Sequence, residues 1–275
     1  MIVNLNSIEY HAHPALSHSR MKVFERSPLH FKHSMEYSRP QSDALDFGKL
    51  FHAAILEPET IADAFVVAPE VDRRTKVGKE EYAAFIADAG SRTVVSFDMM
   101  RMATAMTSSI SDHPAARDIV FQAVAGGRLE ESHVWTDGST GLQRKSRIDA
   151  VLADGTVVDL KTTIDASPRS FARSVLQYGY HTQAAYYADA MSANRDDMKR
   201  FVIVAIEKTA PFAVGVYELD REAVASGRAQ VENWMSQYID CVTSGVWSSY
   251  SQSVELLGLP SWTKGTQHEP SLVEW

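Results

Sequence analysis

The chain has 275 residues, 45% hydrophobic and 23% charged, with 14 Gly and 10 Pro, which argues against disorder and supplies apolar material for a sizeable core. Its single cysteine, Cys241, rules out an internal disulfide and any multi-cysteine zinc or iron–sulfur site, and its longest apolar run, 201–206, falls far short of the roughly 18–20 residues of a membrane span. A formal charge of −8, from 27 Lys+Arg against 35 Asp+Glu, argues against a passive nucleic-acid coat but permits an enzyme with a local cationic surface.

The opening MIVNLNSIEYHAHPALS lacks the basic start and apolar block of a secretory leader, so the expected location is the cytoplasm. Residues 11–39 then hold five cations and five histidines, read either as a solvated helical face or as a phosphate-facing entrance. Residues 43–56 (DALDFGKLFHAAIL) carry apolar side chains at helical spacing and stop before Pro58. A charged loop over 72–81 leads into a helix over 79–89, and an amphipathic helix over 97–110 ends before Pro114. The texture then changes to three strands, 131–136, 143–152 and 156–161, separated by the turn signals DGSTG and ADG. Helices are expected from Ser167 or Pro168 to 177 and over 180–193, strands over 201–207 and 212–219, and a long helix from the Asp220 cap to 242. The tail after Gly245 is expected to pack irregularly. Together these elements predict one α/β domain: a helical section over about 1–125, a core with a mixed central sheet flanked by helices over about 126–245, and a tail over 246–275.

The chemistry concentrates in GLQRKSRIDAVLADGTVVDLKTT, residues 141–163. Asp159 and Lys161 lie two apart on a strand and so project from one face, and a hairpin of this length can bring Asp149 beside them. Two neighbouring carboxylates repel each other, and a hard divalent cation relieves the conflict. Asp149, Asp159 and the Leu160 carbonyl offer the oxygen ligands that Mg²⁺ takes, with Mn²⁺ as a substitute. Lys161 could then orient or deprotonate a water, or steady a phosphate's charge. The plain alternative is an edge strand whose Asp and Lys face solvent. Arg144, Lys145, Arg147, Arg169 and Arg173 surround this segment in sequence and are candidate phosphate contacts.

This segment resembles motifs II and III of the PD-(D/E)xK nuclease superfamily, and the wider chain, from about Leu16 to Trp262, resembles the RecE-type exonucleases (exodeoxyribonuclease VIII) of its RecB-related branch. FGKLFHAAILEP (47–58) is similar to a helix bearing a metal-proximal histidine, which falls on His52; a packed core histidine is the alternative. LEESHVW (129–135) resembles the strand with a glutamate before the aspartate, which falls on Glu131 or on Glu130. QYGYHTQAAYYADA (177–190) resembles the Gln/Tyr-rich helix after the D-x-K strand. There Gln183 and Tyr187, four apart on one helix face, could contact the phosphate or hold Lys161, with Tyr178 and Tyr186 as competitors and core packing as the alternative. The closing GVWSSYSQSVELLGLPSW is similar to the family's C-terminal signature.

In RecB-like relatives of the N-terminal block a Cys-Pro often helps hold an iron–sulfur cluster. Here Ser27-Pro28 stands in that place, and no cluster is expected. The resemblance implies a restriction-endonuclease-like core and Mg²⁺-dependent hydrolysis of linear double-stranded DNA. It further implies processive digestion in the 5′→3′ direction that leaves 3′ tails for recombination, in a phage or prophage setting. A homo-oligomeric ring around the DNA, most often a tetramer, and a single-strand annealing partner of the RecT type follow on the same basis. An endonuclease with the same core, or a catalytically idle DNA-binding assembly protein, are the competing readings.

Overall fold

A computed structural model describes residues 5–37 and 42–259; Arg39 and the last residues of the tail lie outside these. The first part of the chain contains α1 (Ser7–Ala12), β1 (Leu16–Ser17), α2 (His18–Met21), α3 (Pro28–Glu36), α4 (Asp43–Leu56), α5 (Ile61–Ala64), β2 (Phe65–Val67), α6 (Lys76–Ala89), β3 (Thr93–Val95), α7 (Phe97–Asp112) and α8 (Pro114–Gly126). The second part runs β4 (Arg128–Thr136), β5 (Gln143–Val151), β6 (Thr156–Thr163), α9 (Pro168–Tyr178), α10 (Tyr180–Ala193), β7 (Arg200–Glu207), β8 (Val214–Glu218) and α11 (Arg221–Ser244). The fold is mixed α/β, with a central sheet of mixed strand direction flanked by helices. Among the described residues, no helix is long and apolar enough to cross a membrane.

Capping chemistry explains most of the helix starts. The Ser42 hydroxyl accepts from the Leu45 amide at the head of α4, with Asp43 and Asp46 in its first turn. Phe47, Leu50, Phe51 and Ile55 form the buried stripe of α4, which leaves His52 on a different face. Two helix boundaries differ from expectation. Helix α6 starts at Lys76, because the Thr75 hydroxyl accepts from the Gly78 amide and makes the charged stretch helical. Helix α8 was not anticipated: Pro114 reads as a stop, yet it occupies the first turn of a new helix whose cap is His113 Nδ1, accepting from the Ala116 amide. Ser17 makes no side-chain cap, and its hydroxyl meets Ser19 instead; Ser27 is the cap, for α3.

Strand β5 organises the sheet. One edge pairs antiparallel with β4 along its length, from Thr136↔Gln143 to Arg128↔Val151. The other edge is divided. It pairs antiparallel with β6 only at Ala150↔Val158 and Val151↔Val157, and parallel with β1 at Leu16↔Arg144 and Ser17↔Lys145. Residues 146–149 therefore lie in a fork between β1 and β6. Beyond the fork, β6 pairs parallel with β7 from Thr156↔Arg200 to Thr163↔Glu207, and β7 pairs antiparallel with β8.

The helical first part does not have a core of its own. Phe47, Leu50, Phe51, Met106 and Ile110 share one apolar cluster with Val158, Leu160, Val204 and Ile206 from one face of the sheet. The alternate residues Val157, Phe201, Ile203 and Ala205 pack on the other face with Phe171, Ala184 and Tyr187 of α9 and α10. Helix α11 closes over α10 at Gly227, where an added methyl group would lie 2.2 Å from the His181 carbonyl oxygen and 2.8 Å from the Thr182 amide. Gly227→Ala is expected to destabilise the protein by about 2 kcal/mol or more, read as a lower urea midpoint, because backbone rather than a flexible side chain occupies the space.

Candidate metal and catalytic site

The fork collects the acidic residues. The β4–β5 ladder skips Glu130 and Asp149, which lie between the pairs Leu129↔Ala150 and Glu131↔Ile148, and Asp149 and Asp159 stand one step beyond the last β5–β6 pair, Ala150↔Val158. Glu130 has φ of +47°, a left-handed conformation that costs a non-glycine residue about 1–3 kcal/mol. Beside it, β5 changes face: Ile148 and Ala150 are two apart yet pack in different cores. The irregularity turns both carboxylates towards His52. Its Nδ1 lies 3.5 Å from Asp149 Oδ1 and 3.8 Å from Glu130 Oε1.

Each acid is held in place. The Leu160 amide donates to Asp149 Oδ2 at 2.8 Å. Arg147 Nε donates to Glu130 Oε2 at 2.7 Å, while its Nη1 donates to the Leu5 carbonyl and Ser132 hydroxyl. Gln183 Nε2 donates to Asp159 Oδ1 at 3.0 Å, and the other Asp159 oxygen pairs with Lys161 Nζ. Lys161 also sits 5.0 Å from the centre of the Tyr180 ring.

Burial acts to lower the His52 pKa, but the Asp149 and Glu130 carboxylates outweigh it and push it up to about 10. Burial likewise disfavours charge on Asp159, and its carboxyl is raised to about 6, with Lys161 opposing and Asp149 reinforcing the rise. Lys161 is raised in spite of burial, because Asp159 and Asp149 hold it as an ammonium. It is therefore a fixed cation rather than a base at neutral pH.

One imidazole nitrogen and two carboxylate oxygens, all within 4.8 Å of one another, form a group able to hold a metal ion. Ligands about 2.1 Å from an octahedral ion stand about 3 Å apart when adjacent and about 4 Å when opposite, so the distances on His52, Glu130 and Asp149 fit a divalent cation with little movement. Such an ion would replace the His52 proton and supply Lewis-acid neutralisation of charge on a phosphoryl oxygen. The chain's own contribution lies alongside: Gln183 fixes Asp159, Asp159 fixes Lys161, and the ammonium is presented to an anion.

The other expected site residues fall in several places. Glu131 turns away from the triad to His133 Nε2 at 3.2 Å and Arg128 Nε at 3.4 Å, and Glu130 stands in its place. Asp159 lies outside the triad and faces Lys161 and Gln183, and Leu160 contributes its amide to Asp149. Tyr187 is buried and donates to the Arg147 carbonyl at 2.7 Å while accepting from Gln183, so it supports β5. Tyr186 lies under Arg144 and donates to the Leu16 carbonyl.

Arg144 and Lys145 are not surface contacts. Arg144 is 2% exposed, bridges Asp137 and Asp189, and lies 4.0 Å from the Tyr186 ring centre. Lys145 donates to the carbonyls of Tyr10, His11 and His13. Arg147 is occupied by Glu130, whereas Arg169 and Arg173 are exposed on α9 and have no acidic partner among the described residues. Of the N-terminal histidines, His18 is half-buried with its Nε2 2.8 Å from the Thr182 hydroxyl, and loss of solvent lowers its pKa to about 3. One residue at the site, Tyr180 beside Lys161, escaped sequence reasoning: it follows a glycine and gave no periodic signal.

Fold and site together define a PD-(D/E)xK-type, nuclease-like domain. The chain belongs to the family described as "PDDEXK-like domain of unknown function (DUF3799)", which matches residues 17–260. Comparison with curated protein sequences finds no match. Among solved structures, a Eubacterium rectale protein described as a "putative exonuclease" superposes with a TM-score of 0.62 at 14% identity, over 97% of this chain and 99% of that one. At that identity the likeness establishes the shared fold. A second structure, SSO0001, overlays 73% of this chain and 88% of its own at 14% identity with a TM-score of 0.30.

Glu130→Ala is expected to weaken Mn²⁺ binding at least tenfold in calorimetric titration, and Glu131→Ala to leave it nearly unchanged. Because the metal must displace a proton held with a pKa of about 10, apparent affinity should rise roughly tenfold per pH unit between pH 7 and 9. His52→Ala should remove that dependence. Arg144→Ala should cost about 3 kcal/mol in chemical denaturation, because it removes the buried cation that Asp137 and Asp189 share and leaves Asp189 to Arg228 alone, whereas Arg173→Ala should stay within about 0.5 kcal/mol of the unaltered protein.

Proposed function

We propose that this chain is a divalent-metal-dependent exodeoxyribonuclease that hydrolyses phosphodiester bonds from the ends of linear double-stranded DNA. The observation that carries the reading is the convergence of His52, Glu130 and Asp149 beside the Asp159–Lys161 pair in the fork of the sheet. His52, Glu130 and Asp149 hold the cation, Mg²⁺ or Mn²⁺, with Asp159 and the Leu160 carbonyl as further ligands. Lys161 stabilises the charge that builds on the phosphate in the transition state, and Gln183 positions it through Asp159. Three carboxylates in the cluster face three cations, Lys161, Arg147 and protonated His52, so the cluster becomes attractive to a phosphate once the imidazole proton gives way to a dication.

Arg169 and Arg173 on α9 are the candidate DNA contacts among the arginines near the site. Digestion runs 5′→3′ and processively, leaving 3′ single-stranded tails for recombination. A ring of subunits, favoured as a tetramer, would hold an acidic chain on DNA by turning its cationic surface inward, and a RecT-type annealing protein is the partner such tails call for. Support for exonucleolytic polarity, ring and partner comes from the sequence resemblance.

End-labelled linear duplex, closed circular duplex and single strands incubated with Mg²⁺, Mn²⁺ or chelator test the reading. Linear duplex should be degraded and circles spared, with no cleavage in chelator; equal attack on circles would move the assignment to an endonuclease. Lys161→Ala and Asp159→Ala should each lower cleavage by at least a hundredfold while changing duplex affinity little, since both act on the transition state.

A further inference from the structure

Next to Lys161 the surface opens into a cleft of about 480 Å³, within the size range of small-ligand sites. It begins where β6 leaves the catalytic residues: Thr162 follows Lys161 directly, and Tyr180, whose ring carries the Lys161 ammonium, forms a wall. Tyr178 forms the neighbouring wall. Its ring stacks on Tyr180, with centroids 5.9 Å apart and planes at 29°, and the residue is 51% exposed. The rest of the lining includes the Ser174 hydroxyl and Lys208, which has no acidic partner among the described residues. The cleft's one carboxylate, Asp165, is turned to the Ser167 amide at 2.8 Å. A larger cleft, of about 860 Å³, has Lys199, Arg200 and Arg228 engaged by Asp197, Glu218 and Asp189, and no aromatic side chain but Phe201, which is buried, in its lining.

A half-exposed aromatic residue, hydroxyls and an unpaired amine, joined to a phosphodiester-cleaving centre through Lys161, match the chemistry of a nucleotide. We propose that this cleft seats the nucleotide adjoining the scissile phosphate, its base stacked on Tyr178 and its flanking phosphate on Lys208 and the Ser174 hydroxyl. The inference rests on the nuclease reading and adds a substrate state to it. A base inside the stack gives up a neighbour to lie flat on Tyr178, so beyond the terminal pair the strand would enter the catalytic centre locally unstacked. Stacking is indifferent to base identity, so the subsite imposes no sequence preference.

The test uses the full chain and oligonucleotides carrying 2-aminopurine at successive positions from the 5′ end, with Ca²⁺ replacing Mg²⁺ to hold the complex, and cleavage assayed separately with Mg²⁺. Fluorescence should be quenched at one position in the unaltered protein. Tyr178→Ala should abolish that quench and weaken single-strand affinity about tenfold, whereas Tyr178→Phe should keep both. Lys208→Ala should reduce the slope of log affinity against log salt by about 0.7, the value for one phosphate of a single strand. If Tyr178→Ala quenches and binds like the unaltered protein while Mg²⁺-dependent cleavage persists, the subsite is refuted and the nuclease reading stands. If the unaltered protein neither cleaves nor binds DNA, the nuclease reading falls and the subsite falls with it.

Discussion

Residues 146–149 of β5 run through the middle of the sheet with ladder partners on one edge only. A buried backbone group without a partner costs about 1–3 kcal/mol, so the gap has to be filled by side chains. Helix α10 and the aspartates do this. The Tyr187 hydroxyl reaches the Arg147 carbonyl, and Asp149 takes up the Leu160 amide that β5 backbone would otherwise meet. A further layer forms behind them, where Tyr186 donates to the Leu16 carbonyl of β1 and holds the other arm of the fork. The same polar side chains that repair the sheet thereby end up beside one another.

Crowding three carboxylates into this space would be unfavourable without compensation. Arg147 binds Glu130 and Lys161 binds Asp159, while His52 stands between Glu130 and Asp149 and is protonated in the metal-free protein. The left-handed backbone at Glu130 fits this picture. Its strain persists because it swings a carboxylate out of the regular alternation and into reach of α4. Helix α4 in turn is fixed by the apolar cluster it shares with β6 and β7, so the position of His52 depends on packing far from the polar cluster.

Sequence reasoning placed most of the elements because they rest on local chemistry. Periodicity located α4 and α7, the Asp220 cap marked the start of α11, and turn residues separated β4, β5 and β6. It failed at Pro114, where the same residue either ends a helix or opens one, and a histidine cap decides which. It also failed at the cations of β5. Arg144 and Lys145 read as a basic patch in a line of text, but their partners, Asp189 and the carbonyls of α1, are distant in the chain.

What the sequence determined unaided was the mixed α/β class, the exclusion of an internal disulfide and of a multi-cysteine metal site, and the candidacy of Asp149, Asp159 and Lys161, since these follow from composition and from the two-residue period of a strand. The choice between Glu130 and Glu131 could not be made that way. An ideal strand would put the two on opposite faces, but a positive φ and a change of face in β5 set which one reaches His52. The alliance of Gln183 with Asp159, the withdrawal of Arg144 from the surface and the exposure of Tyr178 likewise depend on which strand edges are left unfilled and which helices cover them. Those are long-range contacts, and no local pattern of residues encodes them.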